Sequence, residues 1–469
     1  MSYLEAIKYL ETFVNYEKKS GFLYNDSFKL ERIAGFLKII GDPQNSFKVV
    51  HVAGTKGKGS VCAFAAYILR EAGYKTGLFT SPHLLDVRER LRVLEPRPAG
   101  KQPCREDFEG MILQKDLAEL IGRFKNKIDK YCANSKYGPL SFFEVYTILA
   151  FVYFKEREVD FAVLETGLGG RLDATNSADP DICGITSISY DHTDKLGNTL
   201  GQIAQEKAGI IKKPPARGAG GKLMVVSAPQ EEEVLRVLRD KCLQEGACLY
   251  EIGKDIRVEE SASGKDHQAF NIRGNLGKFN DLKIYLAGRH QVINAALAVS
   301  LVSGLFISSR ENIRVSAVRR GLADTRWPGR FEQVWDRPPV ILDGAHNGAS
   351  ARVLADTLRQ KFADKKITLI LGISADKNAA EIAGELFPLA QRIILTCSGN
   401  PRAARPQDIL AAGEKFLSGK KAELTTSVHE ALKLVRNSTV SGSLVVVTGS
   451  LFVVGDARAI IKNVPDQER

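Results

Sequence analysis

Residues 47–70, FKVVHVAGTKGKGSVCAFAAYILR, restrict the possible folds more than any other stretch of this chain. Val49, Val50, Val52 and Ala53 form a short apolar run, the pattern of a strand buried in a parallel sheet. Gly54, Thr55, Lys56, Gly57, Lys58, Gly59 and Ser60 follow as a loop, and the alanine-rich run to Leu69 reads as a helix. Strand, glycine loop and helix together make a phosphate cradle. Glycines let backbone N–H groups approach phosphate oxygens, and the new helix adds the positive end of its dipole. Lys58 supplies a point charge and Ser60 a hydroxyl. The spacing departs from a Walker A motif, which puts Ser or Thr directly after the Lys; here Gly59 intervenes. The plain alternative is a glycine turn between strand and helix.

A chain of 469 residues suits two or three domains with a sizeable core. With 44% hydrophobic and 26% charged residues it belongs to the globular class rather than the disordered one. No apolar run is expected to reach membrane-spanning length, and the opening MSYLEAIKYLETF is an amphipathic helix pattern rather than a targeting peptide. Seven cysteines lie scattered with no CxxC pair, which argues for reduced thiols in the cytoplasm and against a zinc site. The net charge of +11 admits nucleic acid, a membrane surface or an anionic small substrate. There is no long Lys/Arg block and no aromatic RNA-binding signature, so neither nucleic acid nor membrane is expected as partner; a basic surface that serves only solubility is the plain reading, and a cleft that collects phosphates and carboxylates fits at least as well.

Along the chain, helices are expected over residues 2–19, 30–40, 108–132, 141–157, 203–211 and 290–305. Strands are expected over 49–53, 76–79, 160–164, 182–188 and 223–226. Shorter antiparallel pieces should occupy 255–287, and loops 95–102 and 214–221. A boundary near Ser308–Asn312 leads into renewed strand–helix alternation, with strands at 340–342, 367–371, 392–395 and 444–447. The fold class is α/β: a parallel-sheet, P-loop-type ATPase domain over 1–308, then a smaller Rossmann-like α/β domain over 309–469.

Ligands of open parallel sheets bind beyond the C-terminal strand ends. Gly54–Ser60, Ser81, Glu165 and His192 each follow a predicted strand, so they converge on one crevice. A hydroxyl (Ser81), a carboxylate (Glu165) and an imidazole (His192) are plausible ligands for Mg²⁺ carrying nucleotide phosphates, with Mn²⁺ as a substitute because of the histidine. The competing readings are a helix cap, a surface carboxylate and an ion-paired loop histidine. Lys207 reads as a helix-surface lysine. In the second half, Trp327-Pro328-Gly329-Arg330-Phe331 is a turn that presents an arginine. Asp343 and His346 in LDGAHN sit where a ribose or phosphate could be held, unless Asp343 and Asn347 only build a turn and a cap.

These residues resemble the folylpolyglutamate synthase/dihydrofolate synthase family of the Mur ligase superfamily over nearly the whole chain. The segments that carry the resemblance are HVAGTKGKGS (51–60), TSPHL (80–84), LETGLGGRLDATN (164–176), SYDHTDKLG (189–197), EKAGIIK (206–212), RHQVINAALA (289–298), WPGR (327–330) and LDGAHN (342–347). The resemblance implies ATP-dependent amide formation by a monomer. An acceptor carboxylate is phosphorylated, and L-glutamate then attacks the acyl phosphate; the acceptor is tetrahydrofolate or dihydropteroate. It also implies roles for individual residues. Gly57, Lys58, Gly59 and Ser60 match the phosphate loop, and Ser81, Glu165 and His192 match Mg²⁺ ligands. Lys207 matches a lysine carried as a carbamate, a ligand of a second Mg²⁺. Asn294, Arg330, Asp343 and His346 match ATP-binding positions, with Arg330 reaching across from the second domain. Lys58, His192, Lys207 and Arg330 carry the catalytic assignment. Ser141, Phe143 and Asp173 match the folate side, where an aromatic face and a carboxylate suit a pterin. Lys56 stands where many bacterial members have Asn, and Phe452 where many have Tyr. Residues 95–107 and 214–221 look like extra loop length. A Mur-type peptidoglycan ligase shares this chemistry but needs a pocket for a UDP-muramyl peptide. A P-loop nucleotide-dependent binding protein shares only the cradle, and leaves Glu165, His192, Lys207 and the Arg330/Asp343 pair without a task.

Overall fold

The apolar run after Lys48 becomes strand β1 (Lys48–Ala53), buried at every position but the first, as expected of a strand covered on both faces. The computed structural model describes residues 1–19, 21–98, 102, 104, 106–213, 222–262, 264, 266–436 and 442–463. The expected loop over 214–221, and part of the one over 95–102, lie outside the described residues. Two compact units divide the chain. The first holds residues 1–83, 88–285 and 291–326, and the second holds 84–87, 286–290 and 327–469. The stretch 309–326, placed by sequence after the boundary, thus lies in the first unit. Its helix Val315–Asp324 packs on helix Lys58–Glu71 so closely that a Cβ on Gly321 would stand 2.5 Å from the Cα of Ile68.

In the first unit β1 is joined by β2 (Thr76–Phe79), β3 (Leu91–Leu94), β4 (Phe161–Glu165), β5 (Ile182–Ile185), β6 (Met224–Ser227) and β7 (Cys248–Glu251) in the order β3-β2-β4-β1-β5-β6-β7. Every pairing is parallel except β2 with β3. Val52 pairs with Glu165, Ala53 with Ile185 and Phe79 with Leu164, so the C-terminal ends of β1, β2, β4 and β5 share one edge. A separate antiparallel sheet, β8 (Ile256–Ser261), β9 (Gln268–Gly274) and β10 (Gly277–Ile284), takes the place expected for it.

Several expected elements have different limits. The first helix ends at Glu11, because Asn15 captures the Glu17 N–H in a turn. The helix expected from Phe108 starts at Gln114, since residues 110–112 run beside the unforeseen β3: Val93 N–H donates to the Gly110 carbonyl at 2.8 Å. Helix Arg289–Ser308 corrects the expectation that no apolar run approaches membrane-spanning length. By length and composition it could cross a membrane, yet 83% of its apolar window is buried inside the fold.

The second unit carries β11 (Glu332–Asp336), β12 (Pro339–Leu342), β13 (Lys366–Leu371), β14 (Ala390–Leu395), β15 (Ala422–Leu424) and β16 (Ser443–Thr448) in the order β11-β12-β16-β13-β14-β15. Only β11 runs antiparallel. The edge strands β11 and β15 are the two that the sequence pattern does not announce. Neither is buried throughout, so neither reads as a continuous apolar run.

Candidate functional site at the sheet edge

The phosphate loop leaves β1 and is fastened to the loop after β5. Thr55 N–H and Lys56 N–H both donate to the Ser187 carbonyl, at 3.0 and 3.2 Å. The Thr55 hydroxyl donates to the Ser189 carbonyl at 3.2 Å. Gly57 caps the following helix with φ of 90°, a conformation open to glycine, and a Cβ there would lie 3.0 Å from Cγ of Asn294. Asn294 is therefore seated against the loop, its amide donating to Gln291 Oε1 at 3.0 Å.

Two lysines converge on one carbonyl. Lys58 Nζ donates to Gly54 O at 3.2 Å, and Lys207 Nζ donates to the same oxygen at 2.8 Å. Lys207 is only 4% exposed, so the helix-surface reading of this residue is wrong. Burial, and then the charge of Lys58, push its amine pKa far below the ordinary range. Lys56 pairs instead with Asp191 at 2.7 Å, which gives the departure at position 56 a partner of its own.

Ser81 follows β2 and Glu165 ends β4; the Ser81 N–H donates to Glu165 Oε2 at 3.1 Å. Glu165 is buried. His192 opens the short helix Thr193–Leu196 in the left-handed conformation, with its side chain 44% exposed and Nε2 3.9 Å from Asp191 Oδ1. Among the described residues no group of three or more His, Cys, Asp or Glu side chains is gathered tightly enough to hold an ion. A hydroxyl, one carboxylate and one imidazole suit Mg²⁺, which keeps several waters and shares its shell with substrate phosphates, rather than an ion caged by protein alone.

On the proposed acceptor side, Ser141 caps helix Phe142–Glu156. Its hydroxyl donates to Glu144 Oε2 at 2.7 Å, and Glu144 pairs with Arg32 at 2.8 Å. Phe143 is half-buried and faces the loop after β4, where a Cβ on Gly167 would stand 2.8 Å from the ring. Asp173 is buried with its acceptor sites occupied by its own loop. Oδ2 accepts from Gly167 N and Leu168 N at 2.9 and 3.0 Å, and Oδ1 from Thr175 N and Oγ1 at 3.0 and 2.6 Å. Burial draws its pKa up against those donors. This loop also rests on the helix that holds Lys207, as Arg171 N–H donates to the Glu206 carbonyl at 2.8 Å.

In the second unit Asp343 organises the end of β12. It accepts from Phe331 N at 3.0 Å and Ala345 N at 2.9 Å, so the WPGRF turn and the LDGAHN turn are held together. Burial raises its pKa and Arg330 opposes the rise. His346 Nδ1 lies 2.8 Å from the Gly344 carbonyl, and Asn347 caps helix Gly348–Lys361. The turn-and-cap description thus holds for Asp343 and Asn347, whatever else they bind. Sequence reasoning passed over His51 and Thr175, which lie beneath Asp173. The only signal was one polar residue inside an apolar strand.

Comparison with known proteins gives a consistent set of likenesses. The family "Mur ligase middle domain" matches residues 112–302, and "Mur ligase, glutamate ligase domain" matches residues 329–451. Dihydrofolate synthase/folylpolyglutamate synthase of Bacillus subtilis (strain 168) is 33% identical over 435 residues, which is 92% of this chain and 95% of that protein. A solved Mycobacterium tuberculosis folylpolyglutamate synthase complexed with ADP is 29% identical and covers 99% of both chains at a TM-score of 0.85. A solved FPGS–AMPPCP–folate complex is 28% identical, covering 98% of this chain and 100% of that one at a TM-score of 0.81.

Proposed function

The chain belongs to the folylpolyglutamate synthase/dihydrofolate synthase family of Mur ligases, and from that membership we propose that it joins L-glutamate to tetrahydrofolate, and also to dihydropteroate, at the expense of ATP. The observation that carries this reading is the shared edge of β1, β2, β4 and β5, where the phosphate loop, Ser81, Glu165 and the loop bearing His192 all emerge.

A carboxylate is a poor electrophile, so the acceptor carboxylate first attacks the γ-phosphorus of ATP and releases ADP. The amine of glutamate then adds to the acyl phosphate and phosphate leaves, with the amine proton passing to solvent. Positioning and stabilisation of negative charge do most of this work. The N–H groups of Gly57, Gly59 and Ser60 and the ammonium of Lys58 hold the phosphates at the start of helix Lys58–Glu71. Ser81, Glu165 and His192 are the residues that would hold Mg²⁺, which when bound neutralises charge on the transferring phosphoryl group. Asn294 lies against the loop, and Arg330, Asp343 and His346 are the residues of the glutamate ligase domain assigned to ATP. Phe143 offers an aromatic face to the pterin, while Ser141 and Asp173 shape that side through the cap and loop they organise.

Lys207 is suited to become a carbamate. Burial, with the charge of Lys58, lowers its pKa and so favours the neutral amine, the form that adds to carbon dioxide with loss of one proton. The product is an anionic oxygen donor beside Lys58, fit for a second Mg²⁺. The unit that holds residues 1–83, 88–285 and 291–326 forms the ATP- and folate-binding part, and the unit that holds 327–469 the ligase part, of a cytoplasmic monomer.

The test is to incubate the purified protein with ATP, Mg²⁺, glutamate and either tetrahydrofolate or dihydropteroate. Glutamate-dependent release of ADP is expected with both. Release with one acceptor alone would restrict the activity to that acceptor, and release with neither would overturn the reading.

A further inference from the structure

We infer that His51 and Thr175 form a buried relay that positions the acceptor loop by fixing the carboxylate of Asp173. The inference rests on the reading above that this loop borders the pterin side.

His51 lies in the middle of β1, paired in register with Leu164 on one side and Cys183 on the other, and is fully buried. Its Nε2 is 2.8 Å from Thr175 Oγ1, and that hydroxyl is 2.6 Å from Asp173 Oδ1. A carboxylate only accepts, so the hydroxyl gives its one proton to Asp173 and its lone pairs face His51. His51 must then donate from Nε2–H, which leaves Nδ1 bare. Nδ1 has no hydrogen-bond partner among the described residues. A buried nitrogen without a partner is a penalty that valine at this position would avoid. Burial also pushes the imidazole pKa down to about 3, so the ring is neutral and the single tautomer is defined.

The relay has a clear terminus. Asp173 Oδ2 gathers the N–H groups of Gly167 and Leu168, and Gly167 abuts the ring of Phe143. The central strand, whose end carries the phosphate loop, thereby dictates where the neighbouring loop sits. Loss of the Thr175 hydroxyl removes the shortest bond to the carboxylate and leaves Oδ1 with the Thr175 N–H alone, which loosens the group that holds the 167–168 turn. The effect should fall on the acceptor and spare ATP, because the bonds between the phosphate loop and Ser187 and Ser189 do not pass through Thr175.

Two variant pairs test this. Thr175→Val should raise KM for the folate acceptor about tenfold with kcat and the ATP KM within about twofold of wild type, and Thr175→Ser should restore it. His51→Leu should behave like Thr175→Val, and His51→Gln, which keeps a donor at the Nε2 position, should recover most of the loss. An acceptor KM that stays within about twofold in both disrupting variants, or rises no more than the ATP KM, overturns the relay. A second readout needs no turnover: in ¹⁵N-histidine-labelled protein, the resonance lost in His51→Gln should show the Nε2–H tautomer. An Nδ1–H tautomer there overturns the relay even if the enzyme is fully active. Lack of turnover by the wild type strikes the functional reading instead, so the two failures are distinguishable.

Discussion

Lys207 shows how far a residue's surroundings can change its chemistry. In isolation it is a cation, but burial at the end of its helix, 2.8 Å from Gly54 O and beside the charge of Lys58, pushes its pKa far down and so favours the neutral amine. Lys207→Ala should lower kcat on the order of 10²-fold, with partial recovery when formate or acetate is added to replace the lost carboxylate. Wild-type turnover in the variant would refute the carbamate. His51 makes a prediction of opposite kind, about stability. Its pKa falls from about 6.5 unfolded to about 3 folded, so only the unfolded chain binds the proton between those values. Stability is therefore whole above pH 6.5 and declines as pH falls toward 3, by about 2 kcal/mol at pH 5 from this residue. Asp173 and Asp343 act the other way, since a raised carboxylate pKa makes protonation favour the fold. Comparing urea unfolding at pH 7.5 and 5.0 in wild type and His51→Gln isolates the histidine. Equal losses in the two proteins would contradict a buried neutral ring.

At the scale of elements, the buried parallel strands were legible because they are short apolar runs that end in polar loops. β1, β2, β4 and β5 came out within three residues of their expected ends, and with them the shared edge that brings Lys58, Ser81 and Glu165 to one side. What sequence could not supply was contact between remote segments. Nothing local marks β3, since Leu91–Leu94 is a strand only because β2 and residues 110–112 flank it. The same holds for the site. Local pattern found the loop and its lysine, but that Lys207 is buried, that Asp173 is saturated by its own loop and that His51 lies beneath it are facts of tertiary packing.

At the scale of the whole molecule, the chain spans 95% of the Bacillus subtilis relative and 99% of the solved Mycobacterium tuberculosis folylpolyglutamate synthase. None of the seven cysteines is joined in a disulfide. The proposed monomer has a direct check: light scattering on a size-exclusion column should return a mass near 51.5 kDa with and without ATP, and twice that value would refute it. The helix behind the phosphate loop is enclosed for nearly its entire length, from Ser60 to Glu71. A rod gripped in this way cannot slide when an anion arrives at its tip. On the reading proposed above, any give that a phosphate asks for falls to the few residues ahead of it, between Gly54 at φ 147° and Gly57 at φ 90°, two hinge points with an anvil behind them.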